Sequence, residues 1–309
     1  MKRMSTLAGG ATAAAVLLLS ACGGGGGSPL SSGSGGSASA SPGGTIKIGS
    51  ADFPESRLLA EIYAQTLEAK RVAVERKFGI GAREIYFPAL KDGSIDLVPD
   101  YTGVLLQYID KNATETESEA VYTALKSKVP EPLTVLEKSA AEDKDAVVVT
   151  PATAQKYGTS LDAYGPVCSQ LVFGGPPEFQ SRADGIPGLT KTYGCTFKEF
   201  KALDTGGPIT VKALEDGTVQ AADLFTTDPT IGDKGFVVLA DPKNNFAAQN
   251  VLPLINKAKV TPEVSAALNA VSAKLTTEGL TDMLRELNAP DKPNVDTVAK
   301  SWLSKNGLA

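Results

Sequence analysis

One stretch constrains the fold of this chain more than any other, because it occurs twice. The first copy is Pro88-Ala-Leu-Lys-Asp-Gly-Ser-Ile-Asp-Leu-Val-Pro-Asp-Tyr-Thr-Gly103. The second is Val211-Lys-Ala-Leu-Glu-Asp-Gly-Thr-Val-Gln-Ala-Ala-Asp-Leu-Phe-Thr-Thr-Asp228. Ala89-Leu90, Asp92-Gly93, Ser94 and Ile95 align with Ala213-Leu214, Asp216-Gly217, Thr218 and Val219, and an aromatic follows the glycine in each copy, Tyr101 and Phe225. Both copies read as a helix, a glycine stop, a short apolar strand and an aromatic–Thr loop. Two such units, each with an aromatic at the carboxyl end of a strand, predict two α/β lobes facing a cleft, since open α/β sheets bind ligands outside those strand ends. The plainer alternative is that Ala-Leu-x-Asp-Gly is a common helix C-terminus.

A length of 309 residues fits about two domains. The net charge is −5 and Lys and Arg form no cluster, which excludes a basic face for nucleic acid. There is no histidine, so the commonest general base, the commonest metal ligand and the Ser–His and Cys–His pairs are all missing. The carboxylates Asp96, Asp100, Asp223 and Asp228 show no catalytic spacing. No enzyme activity, cofactor or metal is expected.

Lys2 and Arg3, followed by apolar Leu7 to Leu19, have the form of a signal segment over residues 1–22. It ends in Leu19-Ser-Ala-Cys22, which resembles the lipobox of bacterial lipoproteins and makes Cys22 the lipidated residue; an ordinary signal peptide cut near Ala21 is the alternative. Residues 23–44 are almost all Gly, Ser, Ala and Pro and read as a flexible tether. The folded part is therefore expected on the outer face of the cytoplasmic membrane. In that oxidising setting Cys168 and Cys195 are expected to be bonded to each other, with two buried free thiols as the alternative.

Along the chain, Thr45–Ser50 reads as the first strand, and Pro54 opens a helix with Leu58, Leu59, Ile62 and Leu67 on one face. A short strand is expected over Ile95–Val98, with Pro99 leaving it. Further strands are expected over Leu133–Leu136, Ala146–Thr150, Cys168–Phe173, Phe197–Leu203 and Gly235–Leu239. Val251–Ile255 contains a proline and reads as an edge or crossing strand. Helices from Pro262 to Leu303 are expected to pack back on the first lobe. The division is lobe one at 45–147 and 250–309, lobe two at 148–249.

Ile46-Lys-Ile-Gly-Ser-Ala-Asp-Phe53 is similar to the opening of the glycine betaine/choline-type binding proteins of ABC importers. The stretch Pro88 to Gly103 resembles the most recognisable block of that family, and Glu178–Gly185, Phe225–Asp228 and Asp241–Pro253 look like later blocks. The resemblance covers about 45 to 309. It implies a two-lobe periplasmic binding protein fold of type II with two crossover strands. It also implies a role in delivering an osmoprotectant-like solute to a permease by hinge closure.

Family members hold a quaternary ammonium in an aromatic cage by cation–π attraction. Carried over by position, Tyr101 matches a cage tyrosine, Phe225 a second aromatic and Arg182 an arginine for a ligand carboxylate. Gln249 stands where a cage tyrosine is common, no tyrosine lies near Asp145-Ala146, Ala51 occupies the place of a carboxylate-binding lysine, and Val104 that of a threonine. A site with Tyr101, Phe225, Arg182, Gln249, Asp52, Thr102 and Asp228 also suits a polyol, sugar-like or phenolic ligand. Each has a plainer role: Asp52 as a helix cap, Asp228 as a turn residue, Arg182 as a surface ion pair. The expected partners are a small-molecule ligand, a lipid anchor and an ABC permease, with the protein itself a monomer.

Overall fold

The computed structural model describes residues 44–309. The signal segment, Cys22 and the tether to residue 43 lie outside the described residues. The strands are β1 (Ile46–Gly49), β2 (Val74–Lys77), β3 (Leu97–Tyr101), β4 (Leu133–Val135), β5 (Asp145–Val149), β6 (Val172–Gly175), β7 (Glu199–Ala202), β8 (Ala221–Phe225), β9 (Val237–Val238) and β10 (Val251–Asn256). They form two sheets, ordered β2-β1-β3-β10-β4 and β7-β6-β8-β5-β9. The parallel part of each sheet carries one antiparallel strand that arrives from the other: β10 lies against β3, and β5 against β8. The chain therefore passes between sheets twice, before β5 and before β10.

In the first sheet α1 (Pro54–Ala69) starts on proline and buries Leu58, Leu59, Ile62 and Leu67. Ile46 and Ile48 of β1 share this core with Val264, Leu268, Met283 and Trp302, so the C-terminal helices pack on the first sheet. Each such aliphatic side chain removed from water contributes on the order of 1.5–3 kcal/mol. The opposite face is covered by α2 (Arg83–Lys91) and α3 (Thr102–Ile109) through Tyr86, Leu90, Leu105 and Leu106. The second sheet is covered on one face by Phe173, Phe179, Leu189 and Phe246, and on the other by Val211, Leu214 and Val219.

The repeated stretch forms the same unit in both sheets. The helix α2 and the helix Pro208–Glu215 each end before a glycine with positive φ, Gly93 at 78° and Gly217 at 70°. A strand follows, β3 or β8, and its last residue is Tyr101 or Phe225.

Two strand expectations are corrected, and the choice left open for Val251–Ile255 is decided. Pro99 does not end β3; it sits inside the strand, opposite Pro253 of β10. The neighbouring positions carry this pair's bonds, as Thr102 donating to the Asn250 carbonyl shows, so two prolines without N–H groups face each other at no cost to that ladder. β10 is a crossing strand and not an edge, since it pairs with β3 on one side and β4 on the other. Cys168–Gln170 is a 3-10 turn, closed by Gln170 N–H donating to the Val167 carbonyl and Leu171 N–H to the Cys168 carbonyl, both at 2.9 Å, and the strand begins only at Val172. Cys168 is bonded to Cys195, as expected.

Candidate functional site

The two passages between sheets are tied together, Asp143 N–H donating to the Gln249 carbonyl at 3.1 Å, and the first is also bound to the loop that follows β8. Thr226 N–H donates to the Lys144 carbonyl and Lys144 N–H to Thr226 Oγ1, both at 2.9 Å. Thr227 N–H donates to Asp143 Oδ1 at 3.0 Å. Beside them, Thr102 Oγ1 donates to the Ala248 carbonyl and accepts from Asn250 N–H, each at 2.9 Å. Thr102 is thus buried in the hinge and does not line the cleft. Its neighbour must be glycine: a Cβ on Gly103 would lie 2.6 Å from the Ala248 carbonyl oxygen.

Between the sheets, at the carboxyl ends of β1, β3 and β8, lies a void of about 570 Å³, mouth included. Its aromatic lining is Phe53, Tyr86, Tyr101 and Phe225. The Phe53 ring lies between the other two walls, with centroids 6.3 Å from Tyr101 and 5.1 Å from Phe225. Phe53 ends the loop after β1 and precedes Pro54 of α1, so strand-end topology brings it here. That position was the available signal in the sequence; the residue was missed because it lies in no repeat.

Tyr101 donates its hydroxyl to Glu55 Oε1 at 2.7 Å, and Thr227 donates to Glu55 Oε2 at 2.6 Å. Glu55 of α1 thus joins the end of β3 to the loop that follows β8. Burial pushes the Glu55 carboxyl up, against the pull of its hydrogen bonds, and burial together with Glu55 pushes Asp143 well above the usual carboxylate range. Burial also raises the Tyr101 hydroxyl far above its ordinary value, so it remains a donor.

Both lining arginines are engaged. Arg83 Nη2 donates to Asp100 Oδ1 at 2.7 Å, and Tyr86 donates to Asp100 Oδ2 at 3.0 Å. Burial works to lower the Arg83 pKa, but the Asp100 carboxylate outweighs it and the group stays charged. Arg182, from the loop before the helix Ile186–Tyr193, reaches Glu84 of α2 with two bonds, at 3.0 and 3.2 Å. It therefore bridges the lobes. Gln249 donates to Asp145 Oδ2 at 3.1 Å, and both line the void. Asp184 is pushed up to about 6, by burial and then by the Asp145 charge.

Tyr101, Phe225, Arg182, Gln249 and Asp52 thus meet at one void. Asp52 stands at the mouth, more than half exposed and paired with Arg57, and it does not cap α1, whose N-cap is Phe53. Asp228 is elsewhere. It caps the short helix Pro229–Asp233 by accepting from Thr230 N–H at 2.8 Å, and with Lys234 and Lys292 it lines an outer groove that adjoins the void across Phe53 and Phe225.

Two sheets joined by two crossing passages, with a buried, aromatic and acid-rich cleft at their strand ends, define a cleft-type solute-binding protein. Its family is settled by comparison. The family described as the substrate-binding domain of ABC-type glycine betaine transport systems matches residues 44–305, and this chain belongs to it. The family is one of extracytoplasmic transport components rather than enzymes. The glycine betaine-binding protein YehZ of Escherichia coli (strain K12) is 27% identical over 289 residues, which is 87% of this chain and 92% of that one. The ergothioneine transport permease/ergothioneine binding protein EgtU of Helicobacter pylori (strain G27) is 28% identical over 261 residues, 82% of this chain but only 46% of EgtU. A crystal structure of a glycine betaine/carnitine/choline ABC transporter superposes with a TM-score of 0.66 at 21% identity, covering 85% of this chain and 99% of that one, and so shares the fold. Among the described residues no helix is long and apolar enough to cross a membrane.

Proposed function

We propose that this chain is the solute-binding component of an ABC importer, that it closes around a small osmoprotectant-like organic cation, and that it hands this solute to a membrane permease. A lipid on Cys22 holds it, as a monomer, at the outer face of the cytoplasmic membrane. The observation that carries the proposal is the row of Tyr101, Phe53 and Phe225 rings above a void whose lining acids, Asp52, Asp145 and Glu178 among them, outnumber its two arginines. A cation gains about 0.5–2 kcal/mol from each ring face it meets in a desolvated site. The names of the relatives, glycine betaine and ergothioneine binders, support a ligand of this kind.

Tyr101, Phe53 and Phe225 form the apolar walls, Gln249 the polar corner and Asp52 the mouth. Arg182 latches the lobes and is free to meet a ligand carboxylate only when it leaves Glu84. Thr102 acts at the hinge, and Asp228 outside the cleft. One observation favours a ligand with hydrogen-bonding groups over a fully methylated one: the Gln249–Asp145 pair occupies positions where the resemblance leads one to expect aromatic rings.

Calorimetric titration of the full-length protein with choline, glycine betaine and ergothioneine tests the cation reading. Binding of at least one of them at micromolar concentration is expected. No heat from any of the three, together with binding of an uncharged polyol or phenol, would contradict it.

A further inference from the structure

The corner of the cleft where β5 begins is built from acceptors. Asp145 is 7% exposed, and its Oδ2 accepts from Gln249 Nε2. That oxygen takes the amide by its NH2 group, which leaves Oε1 of Gln249 out of this bond. Asp145 Oδ1 and Gln249 Oε1 accept no bond from any described residue, yet neither is sealed from solvent. Both side chains line the void. Asp145 stands directly across the β5–β8 ladder from Phe225, so the acceptors adjoin an aromatic face. The nearby cations have their hydrogen bonds elsewhere, Arg83 to Asp100 and Arg182 to Glu84, although the Asp145 charge is still felt by Arg182.

Building on the cation reading, we infer that the cleft selects a flat organic cation whose charged group carries two or more N–H donors, an amidinium or guanidinium, over one whose nitrogen is fully methylated, and that Asp145 makes this choice. A planar amidinium has N–H donors to give to these acceptors while its apolar part lies along Phe225 and Phe53. A trimethylammonium has no proton to give. On closure it would strip water from Asp145 Oδ1 and Gln249 Oε1 without replacing those bonds, and a site built for hydrogen bonds discriminates strongly against an analogue that lacks them.

Benzamidinium and phenyltrimethylammonium make a matched pair of probes, with one ring, one charge, and N–H groups on the first alone. Calorimetry on the full-length protein is expected to show benzamidinium binding at least tenfold tighter. The Asp145→Asn variant, whose fold is checked by its thermal melting, is expected to lose most of that preference. Equal or tighter binding of phenyltrimethylammonium to the unaltered protein would overturn the inference while leaving the cation reading intact, and it needs no variant. Failure of both probes and of choline, glycine betaine and ergothioneine would overturn both together.

Discussion

At the scale of single residues, the cleft depends on rings that are held by a carboxyl. Tyr101 contributes a face to the void and a hydroxyl to Glu55. Tyr101→Phe should leave ligand affinity within about threefold, whereas Tyr101→Ala should weaken it roughly five- to thirtyfold, the equivalent of about 1–2 kcal/mol from one lost ring; titration of both variants separates ring from hydroxyl. The buried acids set a pH dependence. Asp184, raised to about 6, and Asp143 and Asp223, raised well above the ordinary range mainly by burial, bind protons more tightly folded than unfolded. Their stabilising contribution is complete below the unfolded values and is lost as pH rises through the folded ones. The melting temperature should therefore rise by a few °C from about pH 7.5 to about pH 5, and Asp184→Asn should flatten part of that slope. A melting temperature that falls over this range would show that these acids are ionised without penalty. Tyr101 and Phe225 were legible in the sequence because each ends a strand in a repeated unit. The Glu55–Thr227 bond and the Gln249–Asp145 bond were not, because their members stand 172 and 104 residues apart and meet only through the crossings.

At the scale of elements, the second passage is fitted against α3 at one backbone contact. Gly103→Ala would push a Cβ into the Ala248 carbonyl, and the passage cannot yield without breaking the bonds Thr102 makes to Ala248 and Asn250. A loss on the order of 1–3 kcal/mol in denaturant unfolding is expected. The Cys168–Cys195 bond closes a sequence separation of 27. Replacing both with serine should cost about 3–4 kcal/mol by loop-closure entropy, read as a lower unfolding midpoint. Helices and parallel strands were legible from apolar periodicity. The turn at Cys168–Gln170 was not, since it runs directly into the apolar stretch Leu171–Phe173 and reads as its beginning. Pro99 misled for a related reason: proline is normally excluded from a central strand, and the partner that makes it harmless, Pro253, lies in another part of the chain.

At the scale of the whole molecule, contacts between the lobes hold the cleft shut over its rings. Phe53 meets Phe225, Arg182 meets Glu84, and Glu55 meets Thr227. Arg182→Ala should shift the ligand-free protein toward an open form, seen as a larger radius of gyration in solution scattering that returns to the unaltered value when ligand is added. An unchanged radius without ligand would show that Arg182 is no latch. Two lobes and their crossings followed from the duplicated stretch together with the family resemblance. The closed latch could not be read in that way, because an ion pair between Arg182 and Glu84 looks in sequence like any surface pair. The claim on which all of this rests is that the solute sits between the rings and the Asp145–Gln249 corner. A crystal structure with whichever cation binds tests it most directly. The expected result places the cationic group within about 6 Å of the Phe53, Tyr101 or Phe225 ring centroids and beside Asp145. A ligand seated instead in the outer groove near Asp228 and Lys292, with the cleft holding none, would contradict it.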